Sequence, residues 1–282
     1  MALCQDVQHQ GETLSESNSS SLGTAIVTGA SSGIGKVYAD RLAARGYDLV
    51  LVARRTDRLQ QIAADLQERF SIRAEVLVAD LSQPAGLSAT IEEIASNELI
   101  SVLVNNAGYS LAKLLTETAP EVMANMIALN VTALTALSKA ALERFTLRGN
   151  GTIINIGSGA GIAPITWIPV YGPTKSYVLQ FTQILQQQVA GTNVRVQLVL
   201  PGAVVSEGWD VAGVSLDTID PATVMTTEDC VDAALSGLDR GELITVPSLQ
   251  DETLLRNFEA AAGALMQAVF ESGKPATRYG LK

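Results

Sequence analysis

The sequence predicts an α/β protein with one doubly wound, parallel, seven-stranded sheet of the Rossmann type, folded as a single domain. Short β-branched segments alternate with longer amphipathic segments from Thr24 onward. The short segments are continuously apolar, which is typical of strands buried on both faces of a parallel sheet. The chain has 282 residues, 47% of them hydrophobic, which suits one α/β domain or at most two small ones. No Pro/Gly/Ser linker divides it after residue 22, so one domain is expected.

The predicted elements alternate regularly along the chain. Strands are expected at residues 25–27, 49–52, 75–78, 100–104, 152–156, 194–199 and 243–246. Helices are expected at 33–45, 56–69, 119–147, 171–189 and 251–270. Such alternation, with right-handed crossovers, gives a doubly wound sheet with helices on both faces.

Three segments lie outside this rhythm. Residues 1–22 end in a serine-rich stretch and are expected to form a disordered N-terminal extension. Residues 23–250 form the predicted dinucleotide-binding catalytic domain, in which a loop at about 203–226 follows the sixth strand. Ligands of such sheets bind beyond the carboxyl ends of the strands, so this loop is placed to act as a lid. An ordinary surface loop is the alternative. Residues 251–282 are expected to add a C-terminal helix and tail to the same domain, the helix covering the sheet edge or joining an interface.

Composition argues against several kinds of function. The net charge is −10, which disfavours nucleic acid as a partner because an acidic chain repels phosphate backbones. His9 is the only histidine, which argues against a Ser-His-Asp triad and against histidine-based metal catalysis. Cys4 and Cys230 have no metal-ligand spacing and are expected to be free thiols in a cytoplasmic protein without a metal. No apolar run approaches the ~18 residues that span a membrane, so no membrane partner is expected.

A glycine-rich turn, from Thr28 to Gly35, follows the first predicted strand. Its spacing is G-x-x-x-G-x-G rather than G-x-G-x-x-G, but it lies between the first strand and the first helix, where a dinucleotide site belongs. Glycines let the backbone approach a pyrophosphate, and the helix N-terminus faces it with free N–H groups. The predicted cofactor contacts in this turn are Gly29, Ser31, Ser32, Gly33, Ile34 and Gly35.

The end of the second strand predicts which dinucleotide binds. Many such folds carry an acidic residue there for the ribose 2′-hydroxyl, but here Ala53 is followed by Arg54 and Arg55. Arginine binds a 2′-phosphate with charge-assisted hydrogen bonds, so NADP(H) is predicted over NAD(H). The alternative is that both arginines are solvated and pair with Asp57. After the third strand, Asp80 and Leu81 are placed to meet the adenine or, equally, to cap a helix.

Three further residues predict redox chemistry at a carbonyl. Tyr171 and Lys175, four residues apart, share one face of a helix. A tyrosine that exchanges a proton near neutrality needs its pKa lowered by about 2–3 units, or roughly 3–4 kcal/mol. A lysine cation ~4 Å away would supply about 4 kcal/mol at an effective dielectric of 20. Ser158 follows the fifth strand in a Gly-Ser-Gly turn, where its hydroxyl can meet a substrate oxygen. Taken singly, each of the three would be an ordinary structural residue.

Together these motifs resemble the short-chain dehydrogenase/reductase family over roughly residues 23–250. The resemblance implies that Asn106, Ala107 and Gly108 lie along the cofactor ribose and that Lys175 holds the nicotinamide ribose. It implies that Asn130 kinks its helix and joins a water relay that feeds Tyr171. The residues implied to line the nicotinamide are Pro201, Gly202, Val204 and Ser206, the last replacing the usual threonine. It further implies a homodimer or homotetramer in which the helices at 119–147 and from 171 onward pair between copies. The alternative is that the apolar faces of these helices pack in the core of the monomer.

The predicted reaction is hydride transfer between NADP(H) and a carbonyl or secondary alcohol. Tyr171 is the expected acid or base, Ser158 orients the reacting oxygen, and Lys175 tunes Tyr171 and fixes the cofactor. The residues expected to border the substrate are mostly apolar, which favours a hydrophobic ketone or aldehyde over an anion: Ile162, Ile165, Trp167, Ile168, Val204 and Trp209. Each of them has core packing as its alternative.

Two other functions fit the same fold. A nucleotide-binding sensor without catalysis is one, although it predicts loss of the tyrosine or lysine, and both are present. A sugar-nucleotide epimerase or dehydratase is the other, although these usually have a different glycine spacing and a longer chain.

Overall fold

The computed structural model describes residues 22–281. The predicted N-terminal extension at 1–22 therefore lies outside the described residues except for Leu22, as does the last residue of the predicted tail. The strands in the described part are, in chain order, β1 (Thr24–Thr28), β2 (Asp48–Ala53), β3 (Ala74–Val78), β4 (Ile100–Asn105), β5 (Gly151–Ile156), β6 (Val194–Val199), β7 (Ala203–Val204), β8 (Val224–Met225) and β9 (Ile244–Thr245).

Seven of these strands form one parallel sheet in the order β3-β2-β1-β4-β5-β6-β9. The predicted doubly wound, seven-stranded, Rossmann-like sheet is thus confirmed. The strand order reverses between β1 and β4, where Val27 aligns with Leu51 on one side and with Val104 on the other. Crevices of this kind, at the carboxyl ends of the strands, are where such sheets bind ligands. The strands β7 and β8 pair in a separate two-stranded sheet within the loop after β6.

The helices are α1 (Gly33–Ala44), α2 (Thr56–Phe70), α3 (Pro84–Ser96), α4 (Pro120–Ile127), α5 (Leu134–Arg148), α6 (Tyr171–Gln188), α7 (Gly208–Ala212), α8 (Thr227–Asp239) and α9 (Thr253–Phe270). They cover both faces of the sheet. Ala25 and Val27 of β1 pack in the layer with α1, α2 and α8, whereas Ile26 packs in the layer with α3, α5 and α6. Because successive strand residues point to opposite faces, a continuously apolar strand supplies both layers.

Three helices were not among those predicted: α3, α8 and the short α7, which lies within the loop after β6. Helix α3 begins with Pro84 at its first turn, and Gly86 lets it approach the backbone of Asp80 closely. Helix α8 is capped by the Thr226 hydroxyl, which accepts a hydrogen bond from the Asp229 N–H at 3.0 Å. The Pro-Ala-Gly start of α3 looks like turn sequence, which explains why it was missed.

The predicted long helix is continuous from Pro120 to Arg148, but its middle is a π-helical segment, Ala128–Ala133. By length and composition this helix could cross a membrane. Its buried side chains, among them Leu137, Ala141 and Phe145, instead pack in the core layer of the sheet. The apolar window of this helix is 33% buried, and core helices pass the same test, so it is weak evidence for a membrane span.

Helix α9 does not cover the sheet edge. None of its residues is buried, and Gln183 of α6 donates a hydrogen bond to Glu259 at 3.2 Å. Its apolar side chains are solvent-exposed, including Leu254, Leu265 and Phe270. The alternative expectation, that this helix joins an interface, stays a prediction.

Candidate active site

The glycine-rich turn lies at the carboxyl end of β1, beside the crevice where the strand order reverses. Gly29 has φ +68° and Gly33 has φ +51°, a conformation that residues with a Cβ rarely adopt. A Cβ at Gly35 would overlap the carbonyl oxygen of Gly29, which is backbone and cannot swing aside. The chain here has room only for glycine, as close approach of α1 to the turn requires. Ile34, also predicted to contact cofactor, packs against the core layer of α1.

Thr28 and Asn106 hold the turn against the end of β4. The Thr28 hydroxyl donates to the Val104 carbonyl at 3.1 Å and accepts from the N–H groups of Asn106 and Ala107 at 2.9 and 3.0 Å. The Asn106 amide donates to the Thr28 carbonyl at 2.9 Å. The side-chain amide nitrogen of Asn106 therefore holds the turn in place. This nitrogen is already engaged with backbone carbonyls.

Arg55 is bound to the glycine-rich turn itself. Its guanidinium donates to Ser31 Oγ at 3.0 and 3.2 Å and to Ser32 Oγ at 2.7 Å. Arg54 points elsewhere: its side chain is 74% exposed, and its Nη1 lies 4.0 Å from Asp80 Oδ2. Of the two predicted arginines, Arg55 is thus the one built into the turn. Neither pairs with Asp57 among residues 22–281.

Asp80 and Leu81 have different structural roles. Asp80 Oδ1 accepts hydrogen bonds from the Ser82 N–H at 3.0 Å and the Ser82 hydroxyl at 2.7 Å, so its side chain shapes the turn that leads into α3. Leu81 is 5% exposed and packs in the core layer of α3. The Leu81 side chain is thus part of the core, and the predicted contact of Asp80 and Leu81 with the adenine stays a prediction.

Ser158, Tyr171 and Lys175 converge at the carboxyl end of β5. Ser158 follows β5 and caps a single 3-10 turn, where its hydroxyl accepts from the Ala160 N–H at 3.1 Å. Tyr171 is the first residue of α6, and Lys175 lies one turn further on. Lys175 Nζ donates to the Ile156 carbonyl at 2.8 Å and lies 5.7 Å from the centre of the Tyr171 ring. Gly161 allows this packing, because a Cβ there would overlap the backbone of Lys175.

The pKa of Tyr171 differs from the sequence-based expectation. Burial raises it above the usual value for tyrosine, while a hydrogen bond with Ser158 acts in the opposite direction. Burial also lowers the pKa of Lys175 to about 8, since no carboxylate pairs with it among residues 22–281. The sequence argument assumed a fully charged ammonium ~4 Å away. The protein alone therefore leaves the phenol less acidic than expected.

Asn130 lies in the π-helical segment, so the expected distortion of its helix is present. It is 1% exposed, its amide donates to the Tyr109 carbonyl at 2.9 Å and to the Thr174 hydroxyl at 3.2 Å, and its Oδ1 accepts from the Tyr109 N–H at 3.1 Å. A Cβ at Gly108 would lie 3.0 Å from Asn130 Oδ1 and 3.8 Å from Lys175 Nζ. Asn130, Gly108 and Lys175 are thus neighbours, which π turns often achieve at functional sites.

The loop after β6, which the sequence predicts to be a lid, contacts the glycine-rich turn and the segment after β4. Ser206 Cβ lies 3.4 Å from the position of a Cβ at Gly33, and the Ala112 N–H donates to the Ala212 carbonyl at 3.0 Å. Trp209 Nε1 donates to the Val204 carbonyl at 2.7 Å. Val204 is buried at 6% exposure, so its side chain belongs to the interior. Pro201 is also buried, whereas Gly202 is exposed.

The predicted pocket residues divide into two groups. Ile162 and Trp167 are 40% and 47% exposed on the segment between Ser158 and Tyr171, where an apolar substrate can reach them. Ile168 is 4% exposed and belongs to the interior, like Val204. Ile165 and Trp209 are half-buried.

Two residues with polar contacts at the site were missed from the sequence. Arg58 and Arg55 both bind the carboxylate of Glu207 in the lid, at 2.5 and 2.7 Å. Arg58 could have been found from the sequence, because it lies one helical turn after Arg54 and Arg55. Glu207 could not have been found in this way, since it lies 152 residues from Arg55.

The cradle fits a dinucleotide: two glycines in left-handed backbone, one glycine that abuts backbone, and arginines beside the turn. A phenol and a lysine next to such a cradle define an oxidoreductase of the Rossmann type. A sequence profile of the family described as short chain dehydrogenase matches residues 23–212, well over half of the chain. The chain belongs to this family.

Solved structures and a curated protein are similar to this chain. A short-chain dehydrogenase from Sphingobium yanoikuyae in complex with NADPH is 40% identical and covers 92% of this chain and 100% of its own, with a TM-score of 0.88. The bulky-bulky ketone specific alcohol dehydrogenase from Comamonas testosteroni is 36% identical, covering 92% and 98%, with a TM-score of 0.84. The human inactive hydroxysteroid dehydrogenase-like protein 1 is 30% identical over 63% of this chain. This chain spans 54% of that relative's length.

Proposed function

We propose that this protein reduces or oxidises a hydrophobic ketone, aldehyde or secondary alcohol with NADP(H), and that Tyr171 is its acid or base. The observation that carries the proposal is the convergence of Ser158, Tyr171 and Lys175 at the end of β5, beside the glycine cradle. The same observation favours an enzyme over a nucleotide-binding sensor.

Each side chain has a distinct task. The cofactor, when bound, would exchange a hydride with the carbonyl carbon. Tyr171 gives a proton to the carbonyl oxygen in reduction and takes one from the alcohol in oxidation. Ser158 donates a hydrogen bond to that oxygen and holds it beside the phenol. Lys175 places a positive charge near the phenol, and Asn130 supports the backbone around it.

The acidity of the Tyr171 phenol depends on the charged groups that lie near it. Burial alone raises the pKa of this phenol. A phenolate forms more readily when positive charge is added nearby, and Lys175 and an oxidised nicotinamide are the two sources of such charge. We therefore expect Tyr171 to become acidic only in the complex with oxidised cofactor.

The preference for NADP(H) rests on Arg55, Arg58 and the serine hydroxyls. Arg55 and the Ser31 and Ser32 side chains form a cluster of hydrogen-bonding groups at the adenosine end of the cradle, and Arg58 adds a second guanidinium. A 2′-phosphate carries enough negative charge to bind two guanidiniums. The Sphingobium relative, crystallised with NADPH, supports this choice.

The substrate proposal rests on apolar exposure at the mouth of the site. Ile162 and Trp167 are exposed between Ser158 and Tyr171, and Val211 of the lid is 56% exposed. The similarity to the bulky-bulky ketone specific alcohol dehydrogenase from Comamonas testosteroni supports a bulky ketone as the substrate. A panel of bulky ketones and of keto acids of similar size, followed by NADPH absorbance at 340 nm, tests this, and activity confined to the keto acids would contradict it.

Replacement of Tyr171 by Phe tests the catalytic role. We expect turnover to be lost while NADPH binding is kept, because the phenol oxygen is removed and the ring remains. Tyr177→Phe is the matched control, since Tyr177 lies on the same helix with its hydroxyl 2.9 Å from Thr135 Oγ1, away from the lysine. Retained turnover in Tyr171→Phe would refute the role.

We also propose that the protein forms a homodimer or homotetramer. Apolar side chains are exposed on α6, where Tyr177 stacks on Phe181 and Ile184 is 52% exposed, and along α9. An isolated 18-residue helix without buried residues is only marginally stable in water, so α9 needs a packing partner. Light scattering during size-exclusion chromatography tests the proposal, and a monomer at micromolar concentration would contradict it. A cytoplasmic location stays a prediction.

A further inference from the structure

The lid is held to the adenosine end of the cradle by one carboxylate. Glu207 Oε2 accepts from Arg55 Nη1 at 2.7 Å, and Glu207 Oε1 accepts from Arg58 Nη1 at 2.5 Å. The two arginines hold the pKa of Glu207 below its usual range, so the carboxylate stays charged at neutral pH. Glu207 directly follows Ser206, which lies against Gly33 of the turn.

The carboxylate binds both guanidinium groups beside the glycine-rich turn. Arg55 reaches Ser31, Ser32 and Glu207 at once, so the lid carboxylate lies in the same cluster as both serine hydroxyls. A phosphate bound to these donors and a carboxylate bound to them need the same N–H groups. Two anions in one such site also repel each other.

We propose that Glu207 competes with the cofactor's 2′-phosphate for Arg55 and Arg58, and that a 2′-phosphorylated adenosine releases the lid. The inference rests on the proposed NADP(H) function. Glu207 then determines how strongly the site prefers a 2′-phosphate, and lid position and cofactor binding are coupled in both directions.

The coupling between lid position and cofactor binding is expected to be weak, because the ion pairs are exposed to solvent. The side chains of Arg55, Arg58 and Glu207 are 41%, 48% and 49% exposed, and solvent weakens ion pairs of this kind. Loss of the two pairs should therefore change the affinity for a 2′-phosphate by about three- to tenfold. Cofactors without that phosphate leave the carboxylate in place and should bind unchanged.

The first test compares binding in wild type, Glu207→Gln and Asp210→Asn by calorimetry. The probes are adenosine 2′,5′-bisphosphate, NADPH and NADH. We expect Glu207→Gln to bind the first two about three- to tenfold more tightly and NADH within about twofold of wild type. Asp210→Asn removes a charge from the same lid but from a residue without an ion pair in the described part of the chain, so it should change none of them.

The second test follows the lid directly. In a Trp167→Phe background, Trp209 is the only tryptophan and lies two residues from Glu207. Adenosine 2′,5′-bisphosphate should change Trp209 emission, and adenosine 5′-monophosphate should not. The added Glu207→Gln substitution should abolish most of this change, because the lid is already free.

The outcomes separate the two proposals. If wild type binds NADPH and Glu207→Gln binds it equally, the competition is refuted and the proposed function stands. Weaker NADH binding by Glu207→Gln would also refute it, since Glu207 would then accept a hydrogen bond from a ribose hydroxyl. If wild type binds neither NADPH nor the bisphosphate, both proposals fail.

Discussion

Replacement of Lys175 by Met should stabilise the cofactor-free protein while abolishing its activity. Lys175 is 6% exposed and has no ion-pair partner among residues 22–281. Burial without a counter-charge lowers its pKa from 10.5 to about 8. The folded protein therefore carries a buried charge that costs stability, and methionine has a similar length without that charge.

The magnitude follows from the pKa and from one hydrogen bond. A drop from 10.5 to about 8 corresponds to roughly 3 kcal/mol at 1.36 kcal/mol per pKa unit. The substitution also leaves the Ile156 carbonyl without its 2.8 Å donor, which costs about 1 kcal/mol. The net gain is about 1–2 kcal/mol, or a Tm about 2–8 °C higher for a chain of this size.

The stability difference between Lys175→Met and the wild type should depend on pH. The unfolded chain keeps its lysine proton up to pH 10.5, whereas the folded protein releases it near pH 8. The penalty on the wild type is thus complete below pH 8 and fades as pH rises towards 10.5. The Tm advantage of Lys175→Met should shrink through the same window.

Differential scanning calorimetry at pH 7.0 and 9.5, without cofactor, checks both statements. Lys139→Met is the control, because Lys139 is 70% exposed and paired with Glu143, so its replacement should shift stability by less than about 0.5 kcal/mol. A Lys175→Met protein that melts at or below the wild-type temperature at pH 7 would refute the reasoning.

Two further predictions concern the glycine-rich turn. Thr28→Val should lower the free energy of unfolding by about 2–4 kcal/mol in chemical denaturation, since the Asn106 and Ala107 N–H groups lose their acceptor in a buried place. Gly35→Ala should weaken NADPH binding at least tenfold by calorimetry and destabilise the fold by about 1–3 kcal/mol, because its Cβ overlaps the Gly29 carbonyl oxygen.

Each of these has a conservative counterpart. Thr28→Ser keeps the hydroxyl and should keep most of the stability; equal losses in the valine and serine variants would place the effect in packing instead. Gly263→Ala lies in exposed α9 with nothing near its Cβ, so it should be neutral or stabilise by up to about 1 kcal/mol. NADPH binding by Gly35→Ala at the wild-type level would show that the turn relaxes.

The sheet could be predicted because its strands carry their own signal. Val50 and Val52 pack into one layer and Leu49 and Leu51 into the other, so β2 carries apolar residues for both faces. Helix α8 was predictable in principle, since Val231, Ala234, Leu235 and Leu238 repeat at helical spacing. Helix α3 was less so, because its first three residues resemble a turn.

The site could be predicted in part for a similar reason. The proposed catalytic residues Ser158, Tyr171 and Lys175 and the glycines of the turn lie close in sequence to the strands that place them, so the topology of the sheet brings them together. The contact between Glu207 and the arginines joins segments about 150 residues apart through a loop whose course the sequence does not specify. The acidity of Tyr171 was overestimated because the distance and burial of Lys175 depend on packing, which spacing along a helix does not give.

The way in which the lid is attached has an evolutionary consequence. Of residues 203–226 only Val204 and Ala212 are buried, and the two strands β7 and β8 anchor the loop to itself rather than to the main sheet. Mutations there disturb little of the core that folding requires, whereas Tyr171, the proposed acid or base, lies on α6. Descendants of such a protein can therefore acquire new substrates by rewriting one loop, with the machinery for the reaction inherited intact.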